Sequence, residues 1–356
     1  MIVAIFLLNS LLLFLALINF ATMRKPLASS RVDSSILVLL PVRNEEANIS
    51  RILGELEAQV NAPHLKVVVI NDNSEDRTYE IASSLSSQRI SVINAPVPAE
   101  GWLGKVSALQ AGYLASELAD VVISIDADVH FEPDAIARAV STLNFSGLDF
   151  ISPYPRQLAN TWAERLIQPL LQWSWMSTVL LRGAEKFPMQ STVICNGQFL
   201  VIKGSSLKAI GGFESVAHKV LDDIELGRSF VAAGFRGSVI DGSEISSTRM
   251  YSSFSEIKSG YGKSLHTAFG SIAGSVFAAI FIAATGILPL LYSFDGNLLA
   301  IAALLAIIGT RFISAAASST RLRDSILHPL SSVLFIYLLY FSWRNRGKTQ
   351  WKGRTL

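Results

Sequence analysis

Val121-Val-Ile-Ser-Ile-Asp-Ala-Asp128 runs a stretch of β-branched, apolar residues directly into two carboxylates separated by a single alanine. A short run of this kind reads as a strand buried on both faces. Two ionised acids at its end cannot both enter the core unpaired, because burying an uncompensated charge is costly. A divalent cation resolves the repulsion, and an all-oxygen ligand set suits Mg2+ or Mn2+. Taken alone, the pair reads better as a loop capping the next helix, so the surrounding chain has to decide.

Working outward, Ile36–Leu40, Leu65–Asn71 and Ile90–Ile93 have the same strand character. Helical patterns separate them: Glu45–Val60 with Asn44 as its cap, Asp76–Ser86, Lys105–Leu118, and a Pro133-initiated helix to about Leu143. This alternation predicts an α/β fold, with a mainly parallel sheet covered by helices on both faces. Such sheets bind ligands beyond the carboxyl ends of their strands. The acids of this half sit at those ends: Asp72 after the second strand, Asp126 and Asp128 after the fourth. Pro41-Val-Arg-Asn-Glu45 is placed to fold over a base or ribose, and Asp72 to hydrogen-bond a nucleobase. Gly101-Trp-Leu-Gly-Lys105 offers a flexible loop and a cation for phosphate.

The chain has 356 residues, of which 50% are hydrophobic and only 16% charged. Ordinary soluble domains carry roughly 25% charged residues. A formal net charge of +2, with no concentrated basic face, argues against a nucleic-acid partner. Cys195 is the only cysteine, so an intrachain disulfide is excluded.

The apolar excess lies at the two ends. Residues 1–23 form an uncharged stretch long enough to cross a bilayer, followed by Arg24 and Lys25, and read as an uncleaved anchor whose end faces the cytoplasm. Residues 264–343 read as a membrane region of two to three spans, near Ile272–Leu291, Leu298–Ser318 and Ile326–Trp343, with Arg311 inside the second. A basic tail covers 344–356. Three spans would carry that tail outside, against the charge bias, which leaves the span count open. Thr161–Arg182 places Trp162, Leu166, Leu170, Trp173, Met176 and Leu180 on one face. It is either a core helix or a helix lying on the bilayer surface.

Seven segments follow one another in a recognisable order: Pro41–Glu45, Asp72–Thr78, Gly104-Lys105-x-x-Ala108-Leu109, Asp126-x-Asp128, Asn196-Gly-Gln198, Gly211-Gly-Phe213 and Leu221-Asp-Asp-Ile-Glu-Leu-Gly227. Together they resemble the inverting family-2 glycosyltransferases of GT-A fold, over about Ile36–Lys263, within an expected catalytic domain at 34–263. The terminal spans and the closing Trp351-Lys-Gly-Arg354 look like membrane-bound members acting on carotenoid-like or hopanoid-like lipids.

The resemblance implies a nucleotide-sugar donor, UDP-linked before GDP-linked, and a membrane lipid acceptor. Asp72 would contact the nucleobase, Asp126 the ribose or metal, Asp128 the metal, and Asp223 would be the general base. Asp222 stands where the family has glutamate, keeping the charge with a shorter reach. Asn196, Gly197, Gln198 and Arg249 would face acceptor or diphosphate. The glutamine/arginine-rich motif of processive members is missing, so one sugar is transferred rather than a polymer built. The implied location is the cell membrane, multi-pass, with the catalytic domain facing the cytoplasm. Two alternatives stand beside this reading: a transferase that makes polyprenyl-phosphate sugars, and a non-catalytic lipid-binding or transport protein.

Overall fold

Strand β1 (Ile36–Val42) shows why the sheet forms as it does. Its alternate residues Ile36, Val38, Leu40 and Val42 join one apolar cluster, while Leu37 and Leu39 join a second. Side chains alternate across a strand, so a continuous apolar run demands cover on both faces. Helices Ile49–Glu57 and Ala135–Ser146 supply Ile52, Leu53, Leu56, Ile136 and Val140 to the first face. Helices Gly104–Leu114 and Asp222–Ala232 supply Val106, Leu109, Leu226 and Phe230 to the second.

The computed structural model describes residues 1–346, 350–351 and 354–355. Part of the expected basic tail, and part of the closing Trp351–Arg354 motif, therefore lie outside the described residues. The chain divides into two units. One comprises Arg24–Arg156 and Gly183–Thr248; the other comprises Met1–Met23, Gln157–Arg182 and Arg249–Leu356. A continuous 34–263 domain is thus interleaved: its 157–182 and 249–263 segments group with the apolar helices.

In the first unit the strands are β1, β2 (Leu65–Asn71), β3 (Ile90–Asn94), β4 (Val121–Ile125), β5 (Val129–Phe131), β6 (Phe150–Tyr154), β8 (Phe199–Lys203), β9 (Gly237–Asp241) and β10 (Ser246–Thr248), while the two-residue β7 (Arg156–Gln157) falls on the boundary between the units. The main sheet runs β3-β2-β1-β4-β8-β6-β9. It is parallel except at β8, which pairs antiparallel with both β4 and β6. The mainly parallel α/β sheet expected from the sequence is what forms, and it is the GT-A arrangement.

The helix boundaries differ where local chemistry finds other uses. Asn44 does not cap a helix. It sits at φ +52°, its side-chain carbonyl accepts from the Glu75 N–H at 2.8 Å, and the helix begins only at Ile49. The expected Lys105–Leu118 helix is Gly104–Leu114. Its close approach to the sheet depends on Gly112, where a Cβ would stand 2.6 Å from Ile70 Cγ1.

In the second unit four helices are long and apolar enough to cross a membrane: Ile2–Thr22, Ile272–Ser293, Leu298–Ala317 and Leu322–Arg344. Prolines decide how they are tied together. Pro289 has no N–H to give the Thr285 carbonyl four residues back, and the helix passes through a π turn at Ala283–Ile287. Asn9 Nδ2 donates to that carbonyl and to the Ala303 carbonyl, each at 3.0 Å. Asn19, also buried, donates to the Met176 and Val179 carbonyls at the end of helix Trp162–Thr178 and accepts from the Leu181 N–H. Trp173 and Trp175 of that helix are buried and Trp162 is exposed.

Gly112→Ala should lower the unfolding free energy by about 1–3 kcal/mol through overpacking against Ile70. Thermal unfolding of the full chain in detergent measures it, and an unchanged midpoint would contradict the contact.

Candidate active site

The site is assembled at the carboxyl ends of β1, β2 and β4 and at the start of two helices. Strand β4 delivers Asp126 and Asp128. The Arg51 guanidinium donates to the carbonyls of Ala127 and Val129, both at 2.8 Å, and so fixes the turn between the two acids. Lys105, at the start of helix Gly104–Leu114, sets its Nζ 2.7 Å from Asp126 Oδ1. The antiparallel strand β8 begins just after Asn196-Gly-Gln198 and brings that turn alongside, where the Asp126 N–H donates to the Gln198 carbonyl. The turn is self-bonded: Asn196 Nδ2 donates to Gln198 Oε1, and the Gln198 N–H donates to Asn196 Oδ1, both at 3.0 Å. The Asn196 N–H is held in turn by Ser152 Oγ at 2.8 Å.

Gly197 is the point of convergence. Its N–H donates to Asp223 Oδ2 at 2.8 Å, and a Cβ placed on it would stand 3.2 Å from Lys105 Nζ and 3.4 Å from Asp223 Cβ. Any side chain here would push into the space between the lysine and the acid. Asp222 and Asp223 open helix Asp222–Ala232, where acids complement the helix dipole. The Ile224 N–H donates to Asp223 Oδ1 at 2.8 Å.

The electrostatics follow from this crowding. Burial works to lower the Lys105 pKa, but the carboxylates of Asp126, Asp222 and Asp223 outweigh it and hold the ammonium above its usual range. Burial, with the Asp222 charge added, pushes the Asp223 carboxyl up to about 6 against the opposing pull of Lys105 and two backbone N–H groups. Burial, Asp126 and Glu45 likewise raise Asp128, with Lys105 opposing.

Most of the residues singled out in the sequence meet here: Lys105, Asp126, Asp128, Glu45, Gly197, Asp222 and Asp223 share one electrostatic neighbourhood. Asn196 and Gln198 are buried as its frame. Pro41 ends β1, and Asp72, 2% exposed, follows β2; Arg43 ties the two loops by donating to the Asp72 and Asn73 carbonyls at 2.9 and 3.0 Å. Arg249 belongs to the other unit, where it forms a two-pronged ion pair with the buried Glu164. Arg43, Arg51 and Ser152 were missed. Arg43 lies inside a motif already singled out, but Arg51 reads as a surface helix residue paired with Glu55, and nothing local marks it or Ser152.

Among the described residues no three His, Cys, Asp or Glu side chains are arranged to hold a metal by themselves. The donors nevertheless fit a hard cation. Asp128 Oδ1 is buried without a hydrogen-bond partner among those residues, and Asp126 stands two positions away. Mg2+ and Mn2+ sites of this kind use one or two carboxylates and complete their shell with phosphate oxygens and water.

Residues 37–210 match the Glycosyl transferase family 2 model. The 4,4'-diaponeurosporenoate glycosyltransferase of Staphylococcus aureus (strain bovine RF122 / ET3-1) is 24% identical over 340 residues, spanning 90% of this chain and 88% of the relative. The protein of that name from Staphylococcus haemolyticus (strain JCSC1435) is 27% identical over 230 residues, 61% of this chain and 57% of the relative. A mannosyltransferase from Pyrobaculum calidifontis, solved in complex with GDP-Man and Mn2+, superposes with a TM-score of 0.52 at 15% identity, covering 99% of this chain and 100% of its own. At that identity the likeness speaks for the fold. With the sheet, the strand-end acids and the matched segment in agreement, this chain is a glycosyltransferase that carries a glycosyltransferase family 2 domain in residues 37–210.

Proposed function

We propose that the chain transfers a single sugar, with inversion, from a nucleotide-diphosphate sugar to a hydroxyl or carboxyl group of a membrane lipid. The observation that carries this reading is the placement of Asp223 against Gly197 and Lys105, in the same pocket of charge as Asp126 and Asp128. Asp223 takes the proton of the acceptor O–H as that oxygen attacks the anomeric carbon; the bond from that carbon to the diphosphate oxygen breaks, and the nucleoside diphosphate leaves. A burial-raised carboxylate suits this task, because its affinity for a proton is closer to that of the group it deprotonates. Lys105 neutralises Asp126 in the absence of donor and is placed to pair with a diphosphate oxygen when donor binds. Asp72 and Pro41 border the nucleoside end, and Asp222 adds to the charge that keeps the Asp223 pKa raised. Mg2+ or Mn2+, held by Asp128 with Asp126, would offset the negative charge developing on the leaving diphosphate.

The donor reading keeps UDP-sugars first and GDP-sugars second; the mannosyltransferase of similar fold was solved with GDP-Man and Mn2+, which supports both a sugar nucleotide and a metal. A lipid acceptor is supported by the apolar helices and by relatives named for diaponeurosporenoate. These features also support a multi-pass protein of the cell membrane whose transferase domain faces the cytoplasm, where sugar nucleotides are made.

The function is tested by incubating the full chain with labelled UDP- and GDP-sugars, Mn2+ and a membrane lipid extract, then identifying the labelled lipid. Failure to bind or hydrolyse any sugar nucleotide would sink the enzyme assignment. Asp223→Asn should lower kcat by about 100-fold or more with a smaller change in donor affinity. Retention of most activity would instead favour an acceptor already ionised near neutral pH, a carboxylate or a phosphate, which needs little help from a base.

Asp223 must be ionised to act, so kcat/KM should fall as pH drops through about 6, and that acid limb should disappear from the residual activity of Asp223→Asn. Lys105→Met should weaken donor binding by roughly tenfold, the loss of one charge-assisted hydrogen bond, read by titration with a non-hydrolysable sugar nucleotide. Chelation with EDTA should abolish transfer and Mn2+ should restore it; activity indifferent to EDTA would contradict the metal reading.

A further inference from the structure

The helical unit contains a buried charge that, among the described residues, has no carboxylate of its own. Arg311 lies in Leu298–Ala317, a helix apolar enough to cross a membrane, yet its side chain is 1% exposed. Pro169 cannot donate to the Arg165 carbonyl four residues back, and Arg311 Nη2 reaches that vacated oxygen only at 3.4 Å. Arg311 Nη1 has no hydrogen-bond partner among the described residues, and no carboxylate among them lies within 4.0 Å of the guanidinium. Asp324 is already engaged: Arg165 Nε donates to its Oδ2 at 2.8 Å and Arg165 Nη2 to its Oδ1. Two guanidinium groups therefore face one carboxylate.

Other unsatisfied groups gather at the same place. Trp173 Nε1 donates to Thr310 Oγ1, next to Arg311, at 2.7 Å, and its ring lies 4.6 Å from that of His328. His328 is fully buried with both ring nitrogens unpartnered among the described residues, and so is Ser325 Oγ, the neighbour of Asp324. A buried guanidinium that must share one carboxylate with a second guanidinium is disfavoured, the more so in an apolar helix. An oxyanion supplied from outside the chain reverses that cost, because it accepts from the free Nη1 and balances the second positive charge.

We propose that the Arg311 cluster, with His328 and Ser325 beside it, is an oxyanion-binding site that takes the phosphate of an anionic lipid headgroup. It does not rest on the transfer chemistry above. The test uses delipidated full-length protein in a neutral maltoside detergent, followed by thermal unfolding and native mass spectrometry. Phosphatidylglycerol should raise the unfolding midpoint and remain bound in the gas phase, while phosphatidylcholine does neither. Arg311→Leu should retain phosphatidylglycerol roughly tenfold less well. Without added lipid that variant should be at least as stable as the wild type, since the charge removed had only a long bond to the Arg165 carbonyl and a carboxylate already engaged by Arg165. An equal shift produced by inorganic phosphate would keep the site and make the free ion its source. No response to either anion, or equal lipid retention by Arg311→Leu, would overturn the proposal. Should Arg311→Leu not fold, Arg311→Lys carries the test: it keeps the charge but loses the planar fork and should bind the lipid more weakly, and unchanged retention would count against the site.

Discussion

The pairing of Lys105 with Asp126, made beside Gly197, is the contact around which the candidate site is organised. It requires four segments to arrive together: the end of β4, the first turn of helix Gly104–Leu114, the Asn196–Gln198 turn and the first turn of helix Asp222–Ala232. The glycine keeps the centre open, and the self-bonded Asn196–Gln198 turn keeps it in place. One lysine cannot balance Asp126, Asp128, Asp222, Asp223 and Glu45. Burial, with that surplus negative charge added to it, raises the carboxyl pKa values of Asp128 and Asp223. A site so charged repels an anionic diphosphate unless a cation enters with it, which is why carboxylates at a strand end and a sugar-nucleotide donor belong to one chemistry.

The helical unit obeys a different constraint. Apolar helices gain little specificity from burying more apolar surface, so directional contacts choose how they pack. Two prolines create those contacts by leaving carbonyls without their helical donors. Asn9 uses the carbonyl freed by Pro289, and Arg311 reaches toward the one freed by Pro169. The first is met with good geometry, while the second leaves part of a guanidinium unsatisfied. That asymmetry separates a structural bond from a group still seeking a partner.

Much of this protein could be read from local pattern. Leu37 and Val38 must point to opposite faces whatever surrounds them, so an unbroken apolar strand announces a sheet covered on both sides. Asp72, Asp126 and Asp128 follow directly from such strands and were placed correctly at their ends. Asn44 shows the limit: its residue type suits a helix cap, but the Glu75 N–H, thirty-one positions away, claims its side chain.

Composition and periodicity determined the parallel strands, the strand-end acids and the apolar helices, because each depends on residues near one another in the chain. Tertiary structure alone decided that β8 inserts antiparallel between β4 and β6, that Gly197 meets Lys105 and Asp223, and that 157–182 groups with the apolar helices rather than with the sheet. It also decided which charges are paired: Arg249 found Glu164, whereas Arg311, among the described residues, found a carbonyl in place of a carboxylate. The physical reason is common to all of these. Burial and proximity between distant segments are properties of the packed chain, and a charge acquires its partners and its pKa only there.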